Sequence, residues 1–432
     1  MTELYVNNFR GFRDTFIPID KVNFLIGENS TGKTSILKLI RVLMDFKFWD
    51  LLDTTTLDFD LGYFQELCDS DSFEVGICER INQSEIFKKI TLINTEGATT
   101  VHDFRVCSKT EDHTENIYMI FEKDNVKYNY SKSKKANLNG HSTSFQDWIG
   151  QNPPIDSFTE IKLKKGRVHP LRLRQYSLLD LIFENINISE TLKNVTYYKS
   201  KNLMMWLAPI RVEPKSIYSN YSVSTQSADG SDTPFLLKLL LEPNDSYNYD
   251  RHNVVVNALN IFGQNSGMFD SIKVVSVDSE EFPPPIEIFI DLGKHNIKIS
   301  NVGYGVSQIL PLIIQILFHG EKTLYAIQQP EIHLHPRGQA AFGELIYDTQ
   351  KSDNKTFIIE THSDYIVDRF RLCVNKDKEE TSDEFQVLFF ERTKDGNKVT
   401  PIKIQSNGKY TDDQPKSFQE FFIKEQLELI KL

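Results

Sequence analysis

The sequence predicts an α/β fold in which a phosphate loop joins a buried strand to a helix. Three observations predict it. Val22-Asn23-Phe24-Leu25-Ile26 is a short apolar run ending at a glycine, the pattern of a buried strand. Gly27-Glu28-Asn29-Ser30-Thr31-Gly32-Lys33-Thr34 follows directly and has the spacing G-x-x-x-x-G-K-[ST]. Beyond it, Ile36, Leu37, Leu39, Ile40 and Leu43 recur at helical spacing. Later apolar runs at 324–327, 357–359 and 387–390 alternate with polar, helix-compatible stretches, the rhythm of a mostly parallel sheet.

The chemistry of the loop follows from its residue types. Glycines let successive backbone N–H groups turn inward around phosphate oxygens. Asn29, Ser30, Thr31 and Gly32 would cradle the phosphates and Lys33 would reach the β- and γ-phosphates, with the Thr34 hydroxyl on Mg²⁺. ATP and Mg²⁺ are therefore the expected ligands.

Charge and composition narrow the remaining classes. The 432 residues carry a net charge of −11, which argues against a whole-surface grip on nucleic acid and leaves only a local patch. Such a patch is 161–174, with Lys162, Lys164, Lys165, Arg167, Arg172 and Arg174; the plainer reading is a solvated face. Cys68, Cys78, Cys107 and Cys373 are scattered without a CxxC pair and suit a reducing compartment. The N-terminus lacks a basic and an apolar signal region, and no apolar run approaches the length of a membrane helix, so a cytoplasmic protein is expected.

The first segment reads as strand, turn, strand, from Leu4-Tyr5-Val6 to Phe16-Ile17-Pro18-Ile19. From Phe73 to Leu163 the pattern predicts short antiparallel strands with long loops, and Ser131 to His141 an exposed loop. Helical patterns dominate 171–207, and Asn220 to Asp232 is a polar loop. Strands return at 272–277 and 286–292, and 309–318 reads as a buried helix despite Gln315. The expected organisation is an N-lobe with the phosphate loop (1–75), an inserted α+β and helical region (76–285), and a C-lobe (286–432).

Three further elements carry polar residues where chemistry is expected. Ser300-Asn301-Val302-Gly303-Tyr304-Gly305 precedes the apolar helix, either as an anion-binding helix start or as an ordinary N-cap. The run 324–327 ends in Gln328-Gln329-Pro330-Glu331-Ile332-His333-Leu334-His335, where a phosphate-loop ATPase places its Mg²⁺-holding and water-orienting residues. His333 and His335 have no evident third metal ligand, which favours a structural turn. The run 356–359 ends in Glu360-Thr361-His362-Ser363, and His362 is placed to contact a γ-phosphate unless it is only a capping residue.

In this order the four elements resemble the ABC-type ATPase head of the SMC, RecF and OLD group. They resemble still more closely the stand-alone ATPases of bacterial anti-phage systems, such as Septu PtuA and PARIS AriA. Asn8-Phe9-Arg10-Gly11-Phe12 looks like the opening strand of these heads, 207–214 like a shared mid-chain segment, and 302–311 like the signature. The likeness covers 1–50 and 205–370. It implies a P-loop ABC-ATPase head with a mixed sheet and a large α+β insertion between the phosphate loop and the signature motif. It also implies a homodimer or higher oligomer, in which ATP on Lys33 of one subunit meets Ser300, Gly303 and Gly305 of the other. His362 then corresponds to the switch histidine.

The departure lies at Gln328 and Gln329, where active heads carry acids. An amide hydrogen-bonds a Mg²⁺-bound water but supplies no negative charge and takes no proton. Gln328 is then expected to touch Mg²⁺ only through water and Gln329 to be a weak catalytic residue, with Glu331 and Glu360 nearby in sequence as substitutes. The expected function is a slowly hydrolysing regulatory ATPase subunit of an anti-phage complex that controls a separate effector nuclease. The alternative is an ATPase acting directly on DNA ends. No nuclease centre is evident in 387–432, and 418–422 reads as core or as a docking helix.

Overall fold

In chain order the first half forms β1 (Glu3–Asn7), β2 (Thr15–Pro18), β3 (Val22–Gly27), α1 (Lys33–Met44), α2 (Phe64–Leu67), β4 (Ser72–Ile81), β5 (Ser84–Thr95), β6 (Ala98–Lys109), β7 (His113–Phe121), β8 (Asn125–Lys134), α3 (Phe145–Ile149) and β9 (Thr159–Lys162). The second half forms β10 (Met204–Leu207), α4 (Thr233–Leu241), α5 (Ser246–Ser266), β11 (Ser271–Ser276), β12 (Ile286–Leu292), β13 (His295–Lys298), α6 (Tyr304–Phe318), β14 (Leu324–Gln328), α7 (Pro336–Asp353), β15 (Thr356–Glu360), α8 (Asp364–Asp377), β16 (Phe385–Thr393), β17 (Gly396–Lys403) and α9 (Lys416–Phe421). This computed structural model describes residues 1–45, 48–49, 54, 61–81, 83–122, 125–134, 144–151, 157–162, 192, 204–219, 226–242, 246–278, 284–377 and 384–421, with backbone only at 162 and 246–251.

The chain divides into two compact units. One comprises Met1–Ile19, Glu28–Lys201 and Phe390–Val399. It holds an eight-stranded sheet in the order β2-β1-β4-β5-β6-β7-β8-β9, antiparallel at each pairing. The antiparallel expectation is right, but short strands with long loops is not: β4 to β8 run for 9 to 12 residues each. The polar residues that broke the pattern are cross-strand partners. Lys109 meets Glu85 directly opposite at 2.9 Å, and Lys89 meets Glu74 at 2.6 Å. The turn Glu96-Gly97 has φ 54° and 91°, both left-handed, as a two-residue hairpin demands. Residues 131–134 continue β8 rather than opening a loop.

The second unit comprises Asp20–Gly27, Asn202–Phe389 and Thr400–Leu432. In the six-stranded sheet β10-β14-β15-β3-β16-β17, the first four strands are parallel. All six residues of β3 are buried, which explains its unbroken apolar run. Its one polar member, Asn23, is fully buried yet satisfied: its amide donates to Asp20 O at 2.7 Å and Phe357 O at 3.1 Å and accepts from Gln386 at 2.7 Å. Strands 272–277 and 286–292 fall instead in a separate three-stranded antiparallel sheet, β11-β12-β13.

Helix α6 is the spine of this unit's core, buried from Val306 to Leu317. Gln315 survives there because its amide donates to Asp232 at 2.7 Å and its oxygen meets His319 Nε2 at 3.0 Å. Pro311 forfeits one helical hydrogen bond, and Gly230 lies against its ring so closely that a Cβ would approach to 2.5 Å. Residues 204–207, expected as the end of a helical stretch, are the edge strand β10 paired with β14. Their apolar run is too short for periodicity to distinguish strand from helix. Phe418 is buried against Phe389, so α9 belongs to the core through that residue. The stretches 163–174, 171–191 and 220–225, read above as basic, helical and loop, lie outside the described residues. No helix among the described residues is long and apolar enough to cross a membrane.

Candidate nucleotide site

Strand β3 delivers the loop. Its last residue, Gly27, has φ 148°, Ser30 has φ 63° and Gly32 has φ 94°. Gly32 is the N-cap of α1 in the left-handed region, without a side-chain cap and with no acid in the helix's first turn. The glycine-led start of α1, with no acid in its first turn, fits a phosphate ligand, because the N-terminal end of a helix favours an anion. Asn29 and Ser30 are exposed, Thr31 and Lys33 buried. Within the loop, Lys33 Nζ donates to Glu28 O at 2.6 Å and Thr31 Oγ1 to the same carbonyl at 2.8 Å. Thr34 is the second residue of α1. The loop residues fit a nucleoside triphosphate.

Gly32 is required twice over. Its φ disfavours any Cβ, and a Cβ there would lie 2.5 Å from the Phe12 ring. Gly32→Ala is expected to destabilise the fold by about 3 kcal/mol, read as a lower midpoint in urea denaturation.

The segment Asn8–Phe12 is not a strand but a tight turn after β1. Phe9 and Phe12 exchange backbone hydrogen bonds, and Asn8, Arg10 and Gly11 have φ 56°, 45° and 84°. The turn places Arg10 Nη1 2.7 Å from Ser35 Oγ on α1. Burial pulls the Arg10 pKa down, against the charge of Glu66. Asn397 closes the turn from β17, donating its backbone N–H to Gly11 O at 2.8 Å and its amide to Arg10 O at 2.9 Å. Sequence reading missed both contacts; Gly11 was the visible signal for a turn.

In the second unit the C-terminal ends of three parallel strands align. Gln328 of β14 stands opposite Glu360 of β15, which stands opposite Leu25 of β3. Loops beyond such ends are where open α/β sheets bind ligands. Gln329 is held at φ 44°, with its N–H on Glu360 O at 2.8 Å. Glu331 is committed locally: Oε1 accepts the His362 backbone N–H at 2.7 Å and Oε2 accepts Thr361 Oγ1 at 2.8 Å. The carboxylate thus clasps the β15 loop to the turn after β14. His362 itself is exposed, whereas Ser363 is the capping residue of α8, accepting from Ile366 N at 3.2 Å. Glu331→Ala strands two donors; stability is expected to fall by about 3 kcal/mol and amide exchange at His362 to accelerate, measured by hydrogen–deuterium exchange.

The signature-like segment differs from its expected form. Ser300 sits in a separate 3₁₀ turn, Ile299–Asn301, so it neither begins nor caps α6. The helix starts at Tyr304 with Gly303 as N-cap and no side-chain cap, and Gly305 lies inside it. A Cβ on Gly305 would lie 3.0 Å from His333 O, so glycine lets this helix start approach the turn after β14. His335 caps α7, its ring nitrogen accepting from Arg337 N at 3.3 Å, and His333 lies against Tyr304, ring centroids 5.7 Å apart. Arg211 is buried beside α6. Its Nη1 donates to Gln308 O at 3.0 Å, and burial pulls its pKa down to about 10 against the charge of Glu331.

A parallel sheet and a glycine-rich loop of phosphate-loop spacing leading into a helix define a phosphate-loop ATPase with mixed α/β sheets, the fold class expected from sequence. The chain belongs to the AAA ATPase domain family, which matches residues 1–367. No curated protein matches it by sequence. Among solved structures it is similar to the SMC head domain from Thermotoga maritima, at 14% identity and TM-score 0.39, covering 93% of this chain and 98% of that one. It is also similar to the Smc head domain with an extended coiled coil bound to the C-terminal domain of ScpA from Pyrococcus furiosus (12%, TM-score 0.42, covering 100% and 99%). A third is the recombination mediator protein RecF of the RecFOR pathway (11%, TM-score 0.32, covering 93% and 97%).

Proposed function

We propose that this chain is the ATP-binding, slowly hydrolysing regulatory subunit of an anti-phage defence complex that holds and controls a separate effector nuclease. The observation that carries slow hydrolysis is the pair Gln328 and Gln329 at the end of β14. Their neutral amides stand where an active head holds Mg²⁺ and polarises water. The fixed backbone of Gln329 disfavours a register slip; of the two nearby acids, Glu331 has both oxygens engaged and Glu360 is buried. Losing a catalytic base costs on the order of 10²–10⁴ in rate. Gln328 would meet Mg²⁺ through water, Thr34 directly, and His362 the γ-phosphate.

ATP would join two copies, Lys33 of one facing Ser300, Gly303 and Gly305 of the other. The exposed aromatic side chain of Tyr304 (56%), within that segment, supports such a contact. The defence assignment is supported by the motif resemblance alone. Its test is co-expression with the neighbouring open reading frames: an ATP-dependent nuclease formed with a neighbour's product supports it. ATP-stimulated DNA-end binding by the isolated chain would instead favour the repair reading.

A further inference from the structure

Helices α5 and α7 enclose a groove of about 860 Å³ that the nucleotide chemistry does not use. Its walls are periodic. Helix α5 lines it at 253–255, 257–258, 261–262 and 265, and α7 at 341, 344–345, 348–349 and 352–353. Both helices therefore present one continuous face over three turns, about 18 Å at 1.5 Å per residue. The floor is apolar, with Phe262 and Leu345 buried beneath it. On α5, Val254 is 67% and Ile261 43% exposed, seven residues apart on one stripe.

The rim has one sign. Glu321, Glu344, Asp348 and Asp353 line the groove, and no Lys or Arg does among the described residues. Arg369 engages Glu344 at 3.1 Å, and Lys355 engages Asp353. Burial and the charges of Glu344 and Asp377 raise the Asp348 pKa, opposed by Lys351. Glu344 and Asp353 therefore already face cations, and Asp348, beside Glu344, is the rim acid that an incoming cation would relieve.

We propose that this groove is the docking site for an amphipathic helix of about three turns from a separate polypeptide, its apolar stripe on Val254 and Ile261 and its flanks rich in Lys or Arg. Length, helical periodicity and charge complementarity favour that occupant over an acidic segment or a flat surface. The site stands independently of the nucleotide reading.

The test uses the full chain and fluorescence anisotropy at physiological salt. The first probe is a labelled 14-residue helical peptide with Leu on one face and Lys on its flanks. The same peptide with Glu for Lys, and a peptide of residues 422–432, are the others. The expected result is saturable binding of the Lys peptide, at least tenfold weaker on Ile261→Glu and on Asp348→Lys, with little binding of the Glu peptide. Wild-type circular dichroism and urea-denaturation midpoints in both variants show that they are folded. Absent binding of the Lys peptide, or equal binding to wild type and Ile261→Glu, overturns the proposal. So does tighter binding of the 422–432 peptide, or a nucleotide-free dimer that Ile261→Glu dissociates, since the occupant would then be this chain's own tail or a second copy.

Discussion

Lys33→Ala is expected to weaken ATP binding by at least a hundredfold while leaving the fold intact. The ammonium is buried and donates to Glu28 O, within the turn that would cradle the phosphates. Charge-assisted hydrogen bonds to two phosphates lose about 3 kcal/mol together when the donor is removed, roughly two decades in Kd. Alanine suits the first position of α1, so denaturation midpoints should change little. Titration calorimetry with ATP and Mg²⁺ reads the loss directly. Wild-type affinity in the variant would mean that the loop is not the nucleotide site.

Gln329→Glu is expected to raise steady-state ATP turnover by about tenfold to a hundredfold, with little change in ATP affinity. The backbone at 329 is fixed by its bond to Glu360 O, so the substitution places a carboxylate where the amide stands. A positioned base contributes on the order of 10²–10⁴, and the full value also needs the acid that Gln328 replaces. Fast wild-type hydrolysis, abolished by Lys33→Ala, would sink the slow-turnover reading. Unchanged turnover in Gln329→Glu would show that the missing base is not what limits it.

The phosphate loop, its strand and its helix were legible because their signals are local: a glycine spacing, a buried run and a 3.6-residue period. The parallel strands β14 and β15 were legible for the same reason, whereas β10, four residues long, was read as helix. The long strands β4 to β8 were disguised because Lys and Glu on them find partners across the sheet, so polarity there marks pairing rather than loop. Ser300 resembled a helix cap in sequence, but the intervening 3₁₀ turn removes it from the helix by geometry that composition does not encode. Arg211 and Asn397 were invisible because their partners, Gln308 and the Arg10–Gly11 turn, lie 97 and about 387 residues away. The groove joins α5 and α7 across a similar gap, and only the packed unit brings its walls together.

Should His362 contact a ligand, the clasp made by Glu331 would set a threshold on it. A ligand that draws the His362 loop out of place must break hydrogen bonds to a charged acceptor, forfeiting about 1.5–3 kcal/mol, roughly a ten- to hundredfold loss of affinity. One that meets the imidazole where it already stands loses nothing. The same bonds would therefore discriminate between fitted and ill-fitted ligands, and by reciprocity an event that loosens the turn after β14 would broaden what the His362 loop accommodates.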